Sequence, residues 1–143
     1  MNTWIDISFL LNPTTGIGAY ALTLLNILKL NNIKYQTLEL KLPKGTRYKY
    51  IFHTIWLNTF IFLKTLISKP NIFISPAFIM PFFTRKKTKY ITVIHDLAHL
   101  RENEMTKYSR FIFDLSTNIA IKKADTIVTV SETIKNELIK TFN

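Results

Sequence analysis

Two glycines, Gly16 and Gly18, stand in the stretch LLNPTTGIGAYALTLL, between an apolar run and a segment with helical spacing. Glycine has no Cβ, so it lets a backbone approach a ligand closely, and the first N–H groups of a helix attract anions. The pair therefore predicts a phosphate site in a loop that leads into a helix. The alternative is that the glycines only permit positive φ in a tight strand-to-helix turn, with Thr14 or Thr15 as the N-cap.

The same glycines also fit a dinucleotide-binding pattern. GIGAYA matches the fingerprint G-x-G-x-x-G/A, and Glu39 lies about twenty residues further on, where an acidic side chain would hold a ribose. The fingerprint expects its first glycine almost directly after the strand, whereas residues 12–15 separate the apolar run from Gly16. Nicotinamide binding through Gly16, Gly18 and Glu39 is therefore kept as an alternative to phosphate binding alone.

A histidine and an aspartate, His95 and Asp96, follow the apolar run YITVI. At the carboxyl end of a central parallel strand an imidazole faces the ligand crevice, where it can donate, accept or carry charge. His95 is therefore a candidate catalytic residue. The competing interpretation is a packed histidine that bonds a backbone carbonyl, with Asp96 as the cap of the next turn. The spacing of His53, His95 and His99 does not indicate a metal site.

These residues need a scaffold, and the composition limits what it can be. The 143 residues are 48% hydrophobic, which suffices for one domain with its own core. Because cysteine is absent from the sequence, a disulfide scaffold, a thiolate metal site and a cysteine nucleophile are excluded. The opening stretch MNTWIDISFL lacks the basic region and cleavage site of a signal peptide, so we expect a cytoplasmic protein.

Apolar runs alternate with stretches of helical periodicity along the chain. Strands are predicted over 4–11, 34–40, 71–76, 90–96 and 125–131. Helices are predicted after the glycines, over 50–67, over 106–123 and from Glu132 onwards, with an irregular connection over 77–89. The fold class is α/β, a doubly wound, mainly parallel Rossmann-like sheet with helices on both faces. Since ligands bind beyond the carboxyl ends of such strands, Ser131 and Glu132 join the candidate contacts.

One predicted helix, residues 50–67, approaches the length of a membrane span, roughly 17 to 20 residues. His53, Asn58 and Lys64 interrupt it, and polar groups are costly at that depth, so we expect a buried or interfacial helix.

The chain is also strongly basic, with a net charge of +10. Basic residues flank apolar segments in two clusters: Lys44, Arg47 and Lys49, then Arg85, Lys86, Lys87 and Lys89. Such clusters suit an anionic membrane surface and predict a peripheral location on the inner face of the cytoplasmic membrane. Ordinary solvated lysines are the alternative. We expect no nucleic-acid partner, because the sequence carries no recognised DNA- or RNA-binding motif.

Three stretches in order, NPTTGIGAYALTLLNIL, TVIHDLAHL and KKADTIVTVSETIKNELI, resemble the N-terminal domain of glycosyltransferase family 4. Members of that family have the GT-B architecture of two facing Rossmann-like domains, and the resemblance covers nearly the whole chain. It implies a retaining transfer of a sugar from a nucleotide-sugar to a glycan or lipid-linked acceptor, in the synthesis of a surface polysaccharide or glycolipid. No cofactor is implied.

The resemblance also implies roles for individual residues. Gly16 and Gly18 match the loop that reaches the donor diphosphate, and His95 matches the histidine near the reaction centre. The remaining candidate contacts to donor or acceptor are Thr15, Asp96, Ser131 and Glu132.

The chain departs from the family pattern in two places. It lacks the proline that often precedes the acidic residue aligned with Glu104, so neither Arg101 nor Glu104 is assigned as a contact. The donor-binding carboxylate pair of the family, E-x₇-E, does not occur in the sequence. We therefore expect residues 1–143 to form one acceptor-side domain, with the donor-binding domain absent from this chain. A non-catalytic Rossmann-like binding module is the alternative.

Overall fold

The computed structural model describes residues 2–8, 15–43, 49–97 and 107–142. Its strands are β1 Thr3–Asp6, β2 Tyr35–Leu38, β3 Ile72–Ser75, β4 Lys89–Ile94 and β5 Thr126–Thr129. Its α-helices are α1 Gly16–Leu30, α2 Lys49–Trp56, α3 Phe62–Ser68, α4 Lys107–Lys123 and α5 Glu132–Phe142, and the π-helical turn Leu57–Ile61 joins α2 to α3. The predicted alternation of strands and helices is confirmed.

The strands form one sheet in the order β2-β1-β3-β4-β5, and each described pair of neighbours is parallel. The chain moves from β1 to one side to form β2 and then crosses back to form β3. β1 and β3 therefore flank the point where the strand order reverses, which is where doubly wound sheets open a crevice at their carboxyl ends.

Helices cover both faces of the sheet. Trp4 and Phe73 on one face pack in a cluster with Leu57 of the π-helical turn. Ile5, the next residue of β1, points the opposite way and packs in a cluster with Leu28 of α1. Because successive strand residues alternate between faces, a strand covered on both sides needs a continuous apolar run. The predicted doubly wound α/β class is confirmed.

The long helical stretch from Lys49 to Ser68 attaches to the sheet through residues spaced by four. His53, Leu57, Ile61 and Thr65 are each at most 2% exposed. A strict spacing of four drifts around an α-helix, which has 3.6 residues per turn. The π-helical turn absorbs this drift because its hydrogen bonds span five residues, so the stripe stays on the sheet. Among the described helices, Ile51–Ser68 is long and apolar enough to cross a membrane by length and composition alone, and 22% of it is buried.

Asp125 ties the start of β5 to β4. Its Oδ2 accepts the Tyr90 N–H at 2.8 Å, and its own N–H donates to the Tyr90 carbonyl at 2.8 Å. Lys89 Nζ lies 3.3 Å from Oδ1. The bond from the Tyr90 N–H, aided by Lys89, lowers the pKa of the Asp125 carboxyl below its ordinary value of 3.8.

This carboxylate should make stability depend on acid. A lowered folded-state pKa stabilises the fold above pH 3.8, and that contribution is lost as the pH falls through the folded-state value. Urea unfolding midpoints measured between about pH 5 and pH 2 should therefore fall more steeply for the parent than for Asp125→Asn. The control is Glu132→Gln, in an exposed ion pair on α5, which should keep the parent slope. Equal slopes for the parent and Asp125→Asn would contradict the prediction.

Candidate functional site

An open groove of about 540 Å³ lies at the carboxyl edge of the sheet. Its walls are the start of α1, the residues that follow β4 and the residue that follows β5. The lining residues are Thr15, Gly16, Ile17, Tyr20, His95, Asp96 and Val130. Parallel strands end at the same edge of a sheet, so the fold brings the predicted Gly16 and His95 into one groove although they are far apart in the sequence.

The two glycines belong to the first turn of α1, so the prediction of a glycine-bearing loop was wrong. Thr15 is the N-cap of this helix. Its Oγ1 accepts the Gly18 N–H at 3.1 Å, and its carbonyl accepts the Ala19 N–H at 2.9 Å. Of the two candidate N-caps, Thr14 and Thr15, the helix thus uses Thr15, whereas Gly16 is helical and does not need a positive φ. Gly18 is buried and its N–H already donates to Thr15, so it has no N–H to offer a phosphate. The N–H groups of Gly16 and Ile17 remain for that contact.

Gly16 and Ile17 supply the groups that could bind an anion. Their N–H groups precede the first acceptor within the helix, so neither has an intrahelical partner. The start of a helix carries about half a positive charge. A Cβ built on Gly16 would meet nothing within 4 Å, so the groove is open at this residue. This turn can place two N–H donors against a phosphate, and the phosphate site stays a prediction.

The ring of His95 is held from two directions. Its Nε2 lies 2.7 Å from the carbonyl oxygen of Pro76. A carbonyl only accepts, so Nε2 carries a hydrogen and donates it, and in the neutral ring Nδ1 keeps a lone pair. The Tyr20 ring meets the imidazole edge-on, with centroids 5.1 Å apart and planes at 88°. Half-buried His95 thus has the carbonyl bond of a packed histidine and also lines the groove, and its catalytic role stays a prediction.

The predicted contacts after β5 lie beside the groove and not in its lining. Ser131 caps α5, since its Oγ accepts the Ile134 N–H at 3.3 Å. Glu132 Oε1 lies 3.3 Å from Lys135 Nζ on the same helix. Val130 is the residue of this segment that lines the groove. Neither Ser131 nor Glu132 lines the groove, and their predicted contacts with a ligand stay predictions.

The acid of the dinucleotide alternative also lies outside the groove lining. Glu39 follows β2, and its Oε2 lies 3.7 Å from Lys41 Nζ. Asp96, by contrast, is exposed and lines the groove.

Comparison with known protein families matches residues 68–141 to the glucosyltransferase 3-like N-terminal domain. The match covers just over half of the chain, including His95 and Asp96. The chain belongs to this family. No curated protein and no solved structure matches the chain. The predicted glycosyltransferase N-terminal domain is thereby confirmed at the level of a glucosyltransferase-like domain, and membership of family 4 stays a prediction.

The chain also holds a buried network, outside the matched residues 68–141, that the sequence analysis missed. His53 Nε2 lies 2.7 Å from Asp6 Oδ2, and both side chains are buried. Asp6 Oδ1 accepts the Ser8 hydroxyl at 2.7 Å, and Ser8 Oγ accepts the Leu40 N–H at 2.9 Å. The network joins the ends of β1 and β2 to α2. Its signal in the sequence was polar residues inside two apolar runs: Asp6 and Ser8 in WIDISFLL, and His53 in YIFHTIWL.

Several predictions concern residues outside the part of the chain that the structure describes: Lys44, Arg47, His99, Arg101 and Glu104. Lys49 begins α2, and Arg85, Lys86 and Lys87 lie in the connection between β3 and β4. Among the described residues, no three His, Asp or Glu side chains are grouped so that they could hold a metal ion.

Proposed function

We propose that this domain is the N-terminal half of a retaining glycosyltransferase of the family 4 type. It would act in surface polysaccharide or glycolipid synthesis, on a nucleotide-sugar donor and a glycan or lipid-linked acceptor. The name of its family favours glucose as the sugar. The observation that carries the proposal is the meeting of the α1 N-terminus and His95 in one groove of a glucosyltransferase 3-like domain.

The start of α1 suits the donor diphosphate. Negative charge grows on the leaving diphosphate as its bond to the sugar breaks, and fixed N–H donors stabilise that charge without reorganising. The N–H groups of Gly16 and Ile17 meet this need, and the first turn of α1 contains no acidic residue that would repel the ligand.

His95 suits the sugar. With Nε2 donating to the Pro76 carbonyl, Nδ1 of the neutral ring can accept a hydrogen bond from a sugar hydroxyl. Tyr20 holds the ring edge-on and limits its rotation. A fixed acceptor of this kind orients a sugar relative to the diphosphate, and orientation is a large part of the rate enhancement in group transfer.

Residues 1–143 alone should bind a nucleotide-sugar only at millimolar concentrations or more weakly. The groove is open, and in such a high dielectric a charge interaction at 4 Å contributes about 1 kcal/mol. Immobilising the ligand costs ~4–15 kcal/mol. Calorimetry with UDP-glucose, GDP-glucose and ADP-glucose tests the prediction. Micromolar binding would instead indicate a complete nucleotide site, and a loss of that binding in Glu39→Gln would favour the dinucleotide alternative.

Transfer itself is tested with the protein expressed from its complete reading frame. We expect nucleoside diphosphate release from one of these donors to increase when a glycan or lipid-linked acceptor fraction is added, and the anomeric configuration of the product to match that of the donor. An inverted product would contradict the family 4 proposal. Absence of transfer with every donor and acceptor fraction, from a folded protein, would favour the non-catalytic module.

A further inference from the structure

The helical stretch Lys49–Ser68 has a second apolar face, which points away from the sheet. Its large side chains are 44% to 80% exposed: Phe52, Ile55, Phe60, Leu63, Leu66 and Ile67. The face that packs on the sheet includes the polar residues His53 and Thr65, and the outward face includes the exposed Thr59, so each face is mainly apolar with few polar residues. A contiguous exposed apolar surface of this kind marks an interaction site.

The connection between β3 and β4 is fixed against this helical stretch. Asn58 Oδ1 accepts the N–H groups of Phe82 at 2.6 Å and Phe83 at 3.2 Å. The rings of Phe62 and Phe83 lie 5.6 Å apart, and Phe83 is 58% exposed. Phe83 thus extends the outward apolar face toward the basic turn that follows it.

That turn carries exposed positive charge. The Arg85 N–H donates to the Tyr90 hydroxyl at 3.0 Å, which anchors the turn on β4, and Lys86 and Lys87 are exposed. Residues 40–95 contain no Asp or Glu, so their Lys and Arg residues account for the whole net charge of +10. The apolar face and the basic turn lie in the longest stretch of the chain that is free of acidic residues.

We propose that this outward face docks on an anionic lipid surface, with the apolar side chains in the interface and the basic turn against the lipid headgroups. An apolar helix face beside basic residues is the pattern of helices that lie in the membrane plane. The predicted basic clusters accounted only for attraction to the membrane, whereas this proposal adds an apolar surface that inserts into it. The proposal does not depend on sugar transfer.

Two other arrangements fit the structure less well. A second copy docked through the same face would bring two strongly basic segments together, and like charges oppose association. A membrane-spanning position would remove the buried stripe from the sheet and break the 2.7 Å contact between His53 and Asp6. The interfacial arrangement keeps both the sheet and this contact intact.

The apolar part of the proposal is tested by co-sedimentation with vesicles of phosphatidylglycerol and phosphatidylcholine. The double variant Phe60→Ser/Leu63→Ser should lower the vesicle partition coefficient at least roughly tenfold, because two exposed apolar groups leave the interface. The matched control, Ile27→Ser/Leu30→Ser, changes side chains of α1 that are 50% and 81% exposed and should bind like the parent. Parent-like binding by the first double variant would overturn the proposal.

The electrostatic part is tested in the same assay. Lys86→Gln/Lys87→Gln should weaken binding to the anionic vesicles, whereas Lys122→Gln/Lys123→Gln, at the end of α4, should not. Salt should weaken the parent's binding, since exposed charges are screened beyond about 10 Å at 0.1 M ionic strength. Equal binding to pure phosphatidylcholine vesicles at every salt concentration would contradict an anionic target.

Insertion is tested by fluorescence quenching with brominated lipids. The quenching of Trp4 and Trp56 in the parent is subtracted as background. A tryptophan introduced by Phe60→Trp should then be quenched by bromine in the upper acyl chains, and one introduced by Leu30→Trp should not. Equal quenching of the two variants would overturn the orientation. Sedimentation analysis tests docking of a second copy. If the parent forms a dimer and does not bind vesicles, and Phe60→Ser/Leu63→Ser dissociates that dimer, the face belongs to a second copy.

Discussion

His95→Ala should lower sugar transfer by the enzyme from its complete reading frame by roughly 10²-fold or more, the range typical of a positioned polar group at a reaction centre. The ring lines the groove beside the start of α1, and the Nε2 bond to the Pro76 carbonyl leaves Nδ1 for the ligand. The measurement is kcat and kcat/KM for the parent and the variant, together with the thermal unfolding midpoint.

His95→Gln separates catalysis from packing. Its amide N–H reaches about as far as histidine Nε2 and can still donate to the Pro76 carbonyl, but it offers no lone pair at the position of Nδ1. If His95 contacts the sugar, the glutamine variant should recover stability and not turnover. Recovery of turnover by His95→Gln would show that the carbonyl bond is the only role of this histidine.

His53→Ala should destabilise the domain by about 3–5 kcal/mol, because it leaves Oδ2 of the buried Asp6 carboxylate without its partner. Asp6 is 5% exposed, and its Oδ2 lies 2.7 Å from His53 Nε2. The loss is a large part of the roughly 5–15 kcal/mol that holds a domain folded. Urea unfolding followed by circular dichroism gives the free energy of unfolding of each variant.

Two further variants keep this prediction testable if His53→Ala does not fold. His53→Gln retains a donor within reach of Asp6 and should lose less stability. The double variant Asp6→Asn/His53→Ala removes the buried charge as well, so its cost should be smaller than the sum of the two single costs. Additive costs would show that the pair contributes no coupling energy, in spite of the short contact.

The pair of Asp6 and His53 belongs to a network that also holds the residues after β1. Asp6 ends β1, and the chain then leads through Ser8 toward Thr15, the N-cap of α1. The Ser8 hydroxyl donates to Asp6 and accepts the Leu40 N–H, and these two bonds fix the start of this connection against β2. The network that contains the buried pair therefore positions the residues that directly follow β1.

The sequence alone determined which elements form and in what order. Continuous apolar runs such as YITVI are required where a parallel strand is covered on both faces, so their alternation with helical periodicity predicted the α/β class. Thr14 and Thr15 were the two candidate N-caps of α1, because a hydroxyl beside the first turn can bond a nearby N–H. His95 was predicted at a strand end, and the end of a parallel strand lies at the ligand edge. Each of these inferences needs only neighbouring residues.

Tertiary structure decided which of these residues meet. The order β2-β1-β3-β4-β5, the partner of His53 and the burial of Gly18 depend on contacts between elements distant along the chain. A period in the sequence indicates that a helix has an apolar face, but it does not say which side the sheet covers. In Lys49–Ser68 both sides are apolar, and the π-helical turn together with the bond from His53 to Asp6 selects the buried one. Long-range packing therefore left the six aromatic and aliphatic side chains of the other face exposed to solvent.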